Sequence, residues 1–246
     1  MITKSKIKFI QSLSHKKLRD EAGLFVAEGP KLFRDLLELP NVELQEVYAT
    51  RQWIDSEPLA GRLGEMLTEL EPGYLERISS LQTPNQVVGI FRKPVFEIKE
   101  PFKGRITLVL DGIQDPGNLG TMIRCADWFG VETILCSTDS VDAFNNKVVQ
   151  STMGSIGRVQ VLYRDLATIL RENEQVGVYA ATLEGKNIFE IDQPEQGFVV
   201  IGNEARGVSD AILEITTQKI TVPRIGKAES LNASVAAGII LARFCL

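Results

Sequence analysis

The chain has 246 residues, 44% hydrophobic and 24% charged, a composition that allows one large domain or two modest ones with a sizeable buried core. No apolar run is long enough to span a bilayer and the start, MITKSKIKFIQSL, lacks a signal-peptide core, so a cytoplasmic location without a membrane partner is expected. His15 is the only histidine, and Cys125, Cys136 and Cys245 are scattered without ligand spacing; this disfavours Ser-His-Asp catalysis and a metal site, and the thiols read as buried.

Residues 1–98 read as a small α/β domain. The net charge of −5 argues against a surface coated for nucleic acid, yet the first 19 residues carry Lys4, Lys6, Lys8, Lys16, Lys17 and Arg19 and no acid. Such a stripe suits a phosphate backbone, although charge alone fits the solvated face of an amphipathic helix better. Lys4 to Leu13 has that helical pattern, with Ile7, Ile10 and Leu13 inward. A strand follows at Leu24–Ala27, then a Gly29-Pro30 turn and a helix with Leu32, Leu36, Leu37 and Leu39 apolar. Glu28 at that junction fits a helix-starting acid better than a ligand contact. VELQEVYAT reads as a strand, GRLGEMLTEL as a weak helix, YLERISSL as a helix and VVGIFRKP as a final strand. Residues 99–104, polar and proline-bearing, are the expected linker.

From Arg105 to residue 246 the rhythm changes to strands alternating with helices. Strands are expected at 106–110, 131–137, 159–163, 177–182, 198–201 and 219–222, and helices near 118–129, 145–155, 165–172, 209–213 and 231–244. Buried β-branched strands separated by helices imply a mostly parallel sheet with helices on both faces. Ligands in such sheets bind at the carboxyl ends of the strands.

Three loops fall there. LVLDGIQDPGNLGTMIRCADWFG ends a strand at Asp111 and opens a helix for which Asn118 is a fair N-cap. Asn118 and Arg124 lie six apart, so they meet around one ligand only if Asn118 is still in the loop. Gly117 and Gly120 do not form G-x-G-x-x-G, which weighs against a nicotinamide site. FVVIGNEARGVSDAIL ends a strand in Gly202, places Glu204 between glycines and restarts as a helix; a plain glycine turn fits equally well. ITVPRIGKAESLNASVAAGIILARF runs from a strand through Pro223 to a helix rich in small residues, with Ser230 where an N-cap belongs. The first turn there, with Ser230 and Asn232, is a seat for a phosphate or carboxylate.

In order and internal spacing, Asn118 to Arg124, IGNEARG and PRIGKAESLNASVA resemble the three motifs of the SpoU family of RNA ribose 2′-O-methyltransferases, also called TrmH-like. LFVAEGPKLFRDLLE and NQVVGIF more weakly resemble the small α/β, L30e-like substrate-binding domain that precedes the catalytic domain in many members. The resemblance implies a SPOUT-class domain with a C-terminal trefoil knot, a feature that general topology rules make rare. It implies S-adenosylmethionine bound by the loops around Thr182, Leu183, Gly202, Ile220, Val222, Ser230, Leu231, Asn232 and Ala233. It implies Asn118, Arg124, Glu204, Ser230 and Asn232 as the catalytic set, a homodimer, no metal, and RNA as partner through the N-terminal cations. Ribosomal RNA is the favoured substrate. Transfer RNA, or a non-catalytic RNA-binding or ribosome-assembly factor keeping the fold, are the alternatives. A nucleotide-cofactor oxidoreductase is disfavoured by the missing glycine fingerprint.

Overall fold

The structure, a computed structural model, describes residues 2–97 and 102–246. It forms two compact units. One comprises the chain up to Phe96 together with a returning segment, Phe144–Gly157; the other comprises Glu97–Ala143 and Arg158–Leu246. Of the expected linker, positions 99–101 lie outside the described residues. Phe102–Gly104 already pack with the second unit, since the Phe102 ring lies 5.2 Å from that of Phe198 and the Gly104 N–H donates to Gln196 Oε1 at 3.0 Å.

The first unit begins with α1 (Lys4–Ser12) and α2 (Lys16–Ala22), and continues β1 (Leu24–Glu28), α3 (Pro30–Leu37), β2 (Leu44–Ala49), α4 (Arg51–Ser56), β3 (Leu67–Glu69), α5 (Pro72–Ile78) and β4 (Val87–Arg92). Its sheet runs β1-β4-β2-β3, antiparallel except for the parallel β2–β3 pair. α1 starts because Thr3 Oγ1 accepts from the Lys6 N–H, and it buries Ile7 and Ile10, as its spacing requires. These residues pack with Leu13, Val26, Tyr48, Leu75, Ile78, Val88 and Ile90. Around Phe91 and Phe33 an aromatic cluster forms with Phe25 and Trp53.

GRLGEMLTEL is not a helix. It makes two 3-10 turns, Ala60–Arg62 and Gly64–Met66, before β3, because Gly64 adopts φ +52° and breaks the α-helical run. α4 was unforeseen, and its signal was Thr50, whose hydroxyl caps the Trp53 N–H. Glu28 is buried and accepts from the Ser80 N–H (2.8 Å), the Ser80 hydroxyl (2.6 Å) and the Ser79 hydroxyl, so it ties β1 to the segment after α5.

The second unit opens with β5 (Ile106–Asp111), α6 (Pro116–Trp128) and β6 (Thr133–Cys136). The chain then returns to the first unit as α7 (Asn146–Thr152), which packs on β1 and brings the Phe144 ring within 5.2 Å of Phe25. β7 (Gln160–Tyr163), α8 (Leu166–Glu172), β8 (Val178–Asn187), β9 (Gly197–Gly202), α9 (Asp210–Leu213), β10 (Gln218–Thr221) and α10 (Ala233–Cys245) complete the second unit. Its sheet, ordered β10-β8-β9-β5-β6-β7, is parallel at every pairing. Val109, Leu135, Phe198 and Val200 face Leu166 and Leu170 of α8 and Ile212 of α9. α6 and α10 pack on each other and against β6 and β9, so helices cover both faces. The α/β expectation of a parallel sheet covered on both sides describes this unit.

Candidate functional site at the strand ends

The carboxyl ends of β5, β9, β8 and β10 carry the three loops singled out by sequence, and each is shaped by local chemistry. At the end of β5 the chain leaves Asp111, with the Gly112 N–H donating to Ser137 Oγ (2.8 Å) and the Ile113 N–H to Ser140 Oγ (3.1 Å). α6 then starts at Pro116, where the missing N–H costs nothing, and Asp115 is its cap, accepting from the Asn118 N–H at 2.8 Å. Asn118 is therefore inside the first turn of the helix and is not its N-cap.

At the end of β9 the chain folds back tightly. Asn203 and Gly207 exchange two backbone hydrogen bonds (3.0 and 2.8 Å), leaving Glu204 exposed in the turn between them. A Cβ at Gly202 would sit 2.2 Å from Gly207 C and Val208 N, so no larger residue fits where this turn closes. β8 and β10 pair in parallel with a break in register: Lys219 faces Ala180 but Ile220 faces Lys186, so residues 181–185 loop out. That loop is closed by Thr182 Oγ1 donating to Glu184 O (3.0 Å) and Thr221 Oγ1 to Leu183 O (3.4 Å).

Beyond β10, residues 223–232 are exposed throughout. Asn232, and not Ser230, caps α10: its Oδ1 accepts from the Ser234 N–H (2.9 Å), the Val235 N–H (3.3 Å) and the Ser234 hydroxyl (2.7 Å). The expected anion seat is thus partly taken by the protein's own amide oxygen. An asparagine reaches both donors of the first turn, which explains why the cap sits two residues later than the serine.

The caps and turns converge on one directional chain. Asn232 Nδ2 donates to Asn118 Oδ1 at 2.9 Å, and Asn118 Nδ2 donates to Glu204 Oε1 at 2.7 Å. Its polarity is not adjustable. The α10 N–H groups claim Asn232 Oδ1, so Asn232 must present its NH2 to Asn118, which must then present its own NH2 to the carboxylate. Residues 86 and 114 positions apart in sequence are locked together by charge-assisted and neutral hydrogen bonds.

Of the other expected catalytic residues, Arg124 and Ser230 are exposed and outside this chain of bonds. Six helical residues place Arg124 roughly 120° around α6 from Asn118 and about 9 Å along it, and no other group among the described residues pairs with its guanidinium. Among the expected cofactor contacts, Leu183 and Leu231 are 75% and 48% exposed, apolar surface left open beside polar loops. Ile220 is fully buried, so only its backbone is available to a ligand, whereas Thr182, Gly202, Val222 and Ala233 are half-buried. Sequence reasoning missed Asp111, Asp115 and Asn203. Asn203, just ahead of an acid and a glycine, carried the signal of a side-chain-closed turn.

The thiols differ from expectation. Cys136 is buried, while Cys125 and Cys245 are half-buried. Burial pushes all three up from the ordinary thiol value, with the Arg124 charge only partly offsetting it at Cys125. Among the described residues no group of three or more His, Cys, Asp or Glu side chains could hold a metal ion, and no helix is long and apolar enough to cross a membrane.

In the first unit the basic stretch divides. Arg19 is 2% exposed and its Nη1 donates to the carbonyls of Leu13 (2.8 Å) and Ser14 (2.7 Å), which takes it out of any RNA-facing surface. Those carbonyls end α1 and need donors, and a folded-back guanidinium supplies them. Lys6 pairs with Glu46 at 2.7 Å and Lys17 more loosely with Glu21 at 3.9 Å. Lys4, Lys8 and Lys16 are exposed.

A parallel sheet with a polar site built from three loops at its strand ends defines a class of α/β protein that binds its ligands at the carboxyl edge of the sheet, and comparison with known proteins gives the family. Residues 105–242 match the model of the SpoU rRNA Methylase family, and residues 4–89 match an MRM3-like substrate binding domain. The chain is 34% identical over 239 residues, 96% of its length and 94% of the relative's, to the 23S rRNA (guanosine(2553)-2′-O)-methyltransferase RlmP of Bacillus subtilis. It superposes with TM-score 0.84 and 29% identity on an AdoMet-bound rRNA methyltransferase from Sinorhizobium meliloti, covering 99% of this chain and 95% of that one. A TrmH-family protein from Porphyromonas gingivalis matches with TM-score 0.83 and 34% identity over 99% and 98% of the two chains. The chain belongs to the SpoU rRNA methylase family.

Proposed function

We propose that this protein transfers a methyl group from S-adenosylmethionine to a ribose 2′-hydroxyl of RNA, with ribosomal RNA as the substrate class. The observation that carries this reading is the Asn232–Asn118–Glu204 chain, because it joins all three motif loops into one polar centre. The membership of both parts of the chain, catalytic and substrate-binding, supports RNA as the acceptor.

The cofactor would lie among Thr182, Leu183, Gly202, Ile220, Val222, Ser230, Leu231, Asn232 and Ala233, held largely by backbone groups. When bound it supplies an already activated sulfonium methyl. The protein's remaining task is to aim the 2′-oxygen in line and assist loss of its proton. Glu204 is held by Asn118 through Oε1, leaving Oε2 without a partner among the described residues. Arg124 stays protonated, so its role is to stabilise the developing alkoxide or hold the adjacent phosphate. Lys4, Lys8, Lys16 and Lys17 would contact the RNA backbone and add affinity with little sequence choice.

The C-terminal segment would thread a trefoil knot, and the tight passage of residue 185 beside the Ile220 backbone supports close threading: a Cβ at Gly185 would lie 2.7 Å from Ile220 N and C. A homodimer, acting in the cytoplasm, completes the reading; exposed Ile225 and Val235 support a further surface being covered.

Calorimetric titration with S-adenosylmethionine, followed by transfer of a labelled methyl group to ribosomal RNA transcribed in vitro, tests this. The expected result is binding of one cofactor per chain and a new alkali-resistant linkage in the RNA. Absence of cofactor binding, even with the RNA present, would overturn the reading in favour of a non-catalytic RNA-binding protein.

A further inference from the structure

We propose that Asn203 is a positioning residue for methyl transfer, holding Glu204 in place by clamping its turn to the loop that opens α6. This rests on the methyl-transfer reading above and assigns a role to a residue that the reading does not use.

Glu204 is exposed, so side-chain packing does not hold it in place. An exposed glutamate in a glycine-flanked turn would lose its single orientation to rotamer entropy unless hydrogen bonds impose one. Its carboxylate is held by Asn118, and the backbone turn that carries it is held by its neighbour Asn203. Asn203 Nδ2 donates to Gly112 O at 2.7 Å, while Asn203 Oδ1 accepts from the N–H groups of Ala205 and Arg206, both at 3.0 Å. The first bond reaches across to the end of β5, and the other two close the turn around Glu204. On the far side the Ser209 N–H donates to Asp111 Oδ2 at 2.7 Å, a second tether between the same two loops. Asn118, which receives Glu204, sits at the start of the helix that the Gly112 loop opens. Asn203 therefore sets the spacing between the two partners of that 2.7 Å bond.

A residue needed only to form a turn would place fewer demands on its chemistry. Aspartate closes such turns as asparagine does, and serine closes them more weakly. The Gly112 carbonyl demands a donor on the same side chain that accepts from two N–H groups. A carboxylate has no proton to give, and a serine hydroxyl that closes the turn is one atom too short to span to the next strand. Asparagine meets both requirements at once.

The test uses the full-length protein and four variants: Asn203→Ala, Asn203→Ser, Glu204→Gln and the double change Asn203→Ala with Glu204→Gln. Steady-state methyl transfer to transcribed ribosomal RNA, cofactor titration and thermal unfolding are measured for each. Misplacement of a group by about 1 Å lowers kcat on the order of 100-fold, and that is the expected loss for Asn203→Ala, with the cofactor Kd within about threefold of the parent. Asn203→Ser, which keeps the turn but not the tether, should lie between. In the Glu204→Gln background the alanine change should cost less than about threefold more, because the group it positions has already been altered. An equal loss in both backgrounds would show that Asn203 acts independently of Glu204 and would overturn the inference, as would an unchanged kcat. If the alanine variant fails to fold, the serine change made in both backgrounds gives the same comparison. A parent protein that neither binds the cofactor nor methylates RNA would instead sink the methyl-transfer reading, and the Asn203 role with it.

Discussion

The strand-end loops of the second unit and the basic stretch of the first both invite a functional reading from sequence, yet they keep their character to different degrees. In the loops, polar residues far apart in the chain close onto one another through bonds whose direction is dictated by a helix terminus. In the basic stretch, Arg19 is drawn inward to cap α1 and Lys6 is paired with Glu46. Spacing between glycines, caps and acids constrains backbone shape, and shape survives folding. Charge along a helix constrains only which side is wet, and any acid or carbonyl brought near by the fold can claim it.

The sharpest way to break this contrast is Asn118→Asp. The change removes the donor to Glu204 and sets two carboxyl groups facing each other, so kcat should fall by about 10²- to 10³-fold. Activity at or above the parent level would show that the polarity of the chain is irrelevant. A smaller effect, on stability, is expected from Arg19→Ala. It leaves the carbonyls of Leu13 and Ser14 without their donor and should cost about 2–3 kcal/mol in chemical denaturation, with the salt dependence of RNA binding unchanged. Reversing Lys4 and Lys8 to glutamate should do the opposite: leave stability intact and flatten the slope of log binding constant against log salt by about 1.5. If Arg19→Ala changes that slope, or the double reversal does not, the division of the stretch into structural and RNA-facing cations fails.

The smallest effect concerns the Lys6–Glu46 pair. Burial of Glu46 pushes its carboxyl up, but hydrogen bonds from Lys6 and Tyr48 and the Lys6 charge outweigh burial and hold it below the usual carboxylate value of 4.5. A lowered folded-state value means the contribution is present above the unfolded value and is lost as pH falls through the folded one. Glu46→Gln should therefore cost about 0.5 kcal/mol at neutral pH, a surface-pair magnitude, and that difference should shrink as the pH drops below 4.5 and vanish once it is well below the lowered folded-state value. A difference that persists undiminished in acid would assign the stabilisation to packing.

By itself the sequence determined a great deal here. The strands and helices of the second unit follow from β-branched runs alternating with amphipathic ones. The positions of its loops at the strand ends follow from parallel topology, and Asn118, Glu204 and Asn232 stood out through the motifs around them. Local signals were weaker where glycine and short apolar runs competed, as in GRLGEMLTEL, which became 3-10 turns and a three-residue strand.

Tertiary structure alone decided the rest. It joined Asn232 to Asn118 and Asn118 to Glu204, sent residues 144–157 back to pack with the first unit, and buried Arg19. Asn232 depends on Asn118 and Phe144 on the Phe25 ring, partners distant in sequence, and Arg19 on a fold of two successive helices that turns it back on their junction. Periodicity and capping are properties of a few consecutive residues and can be read from them. Which donor meets which acceptor depends on how the elements pack, and no local pattern records it.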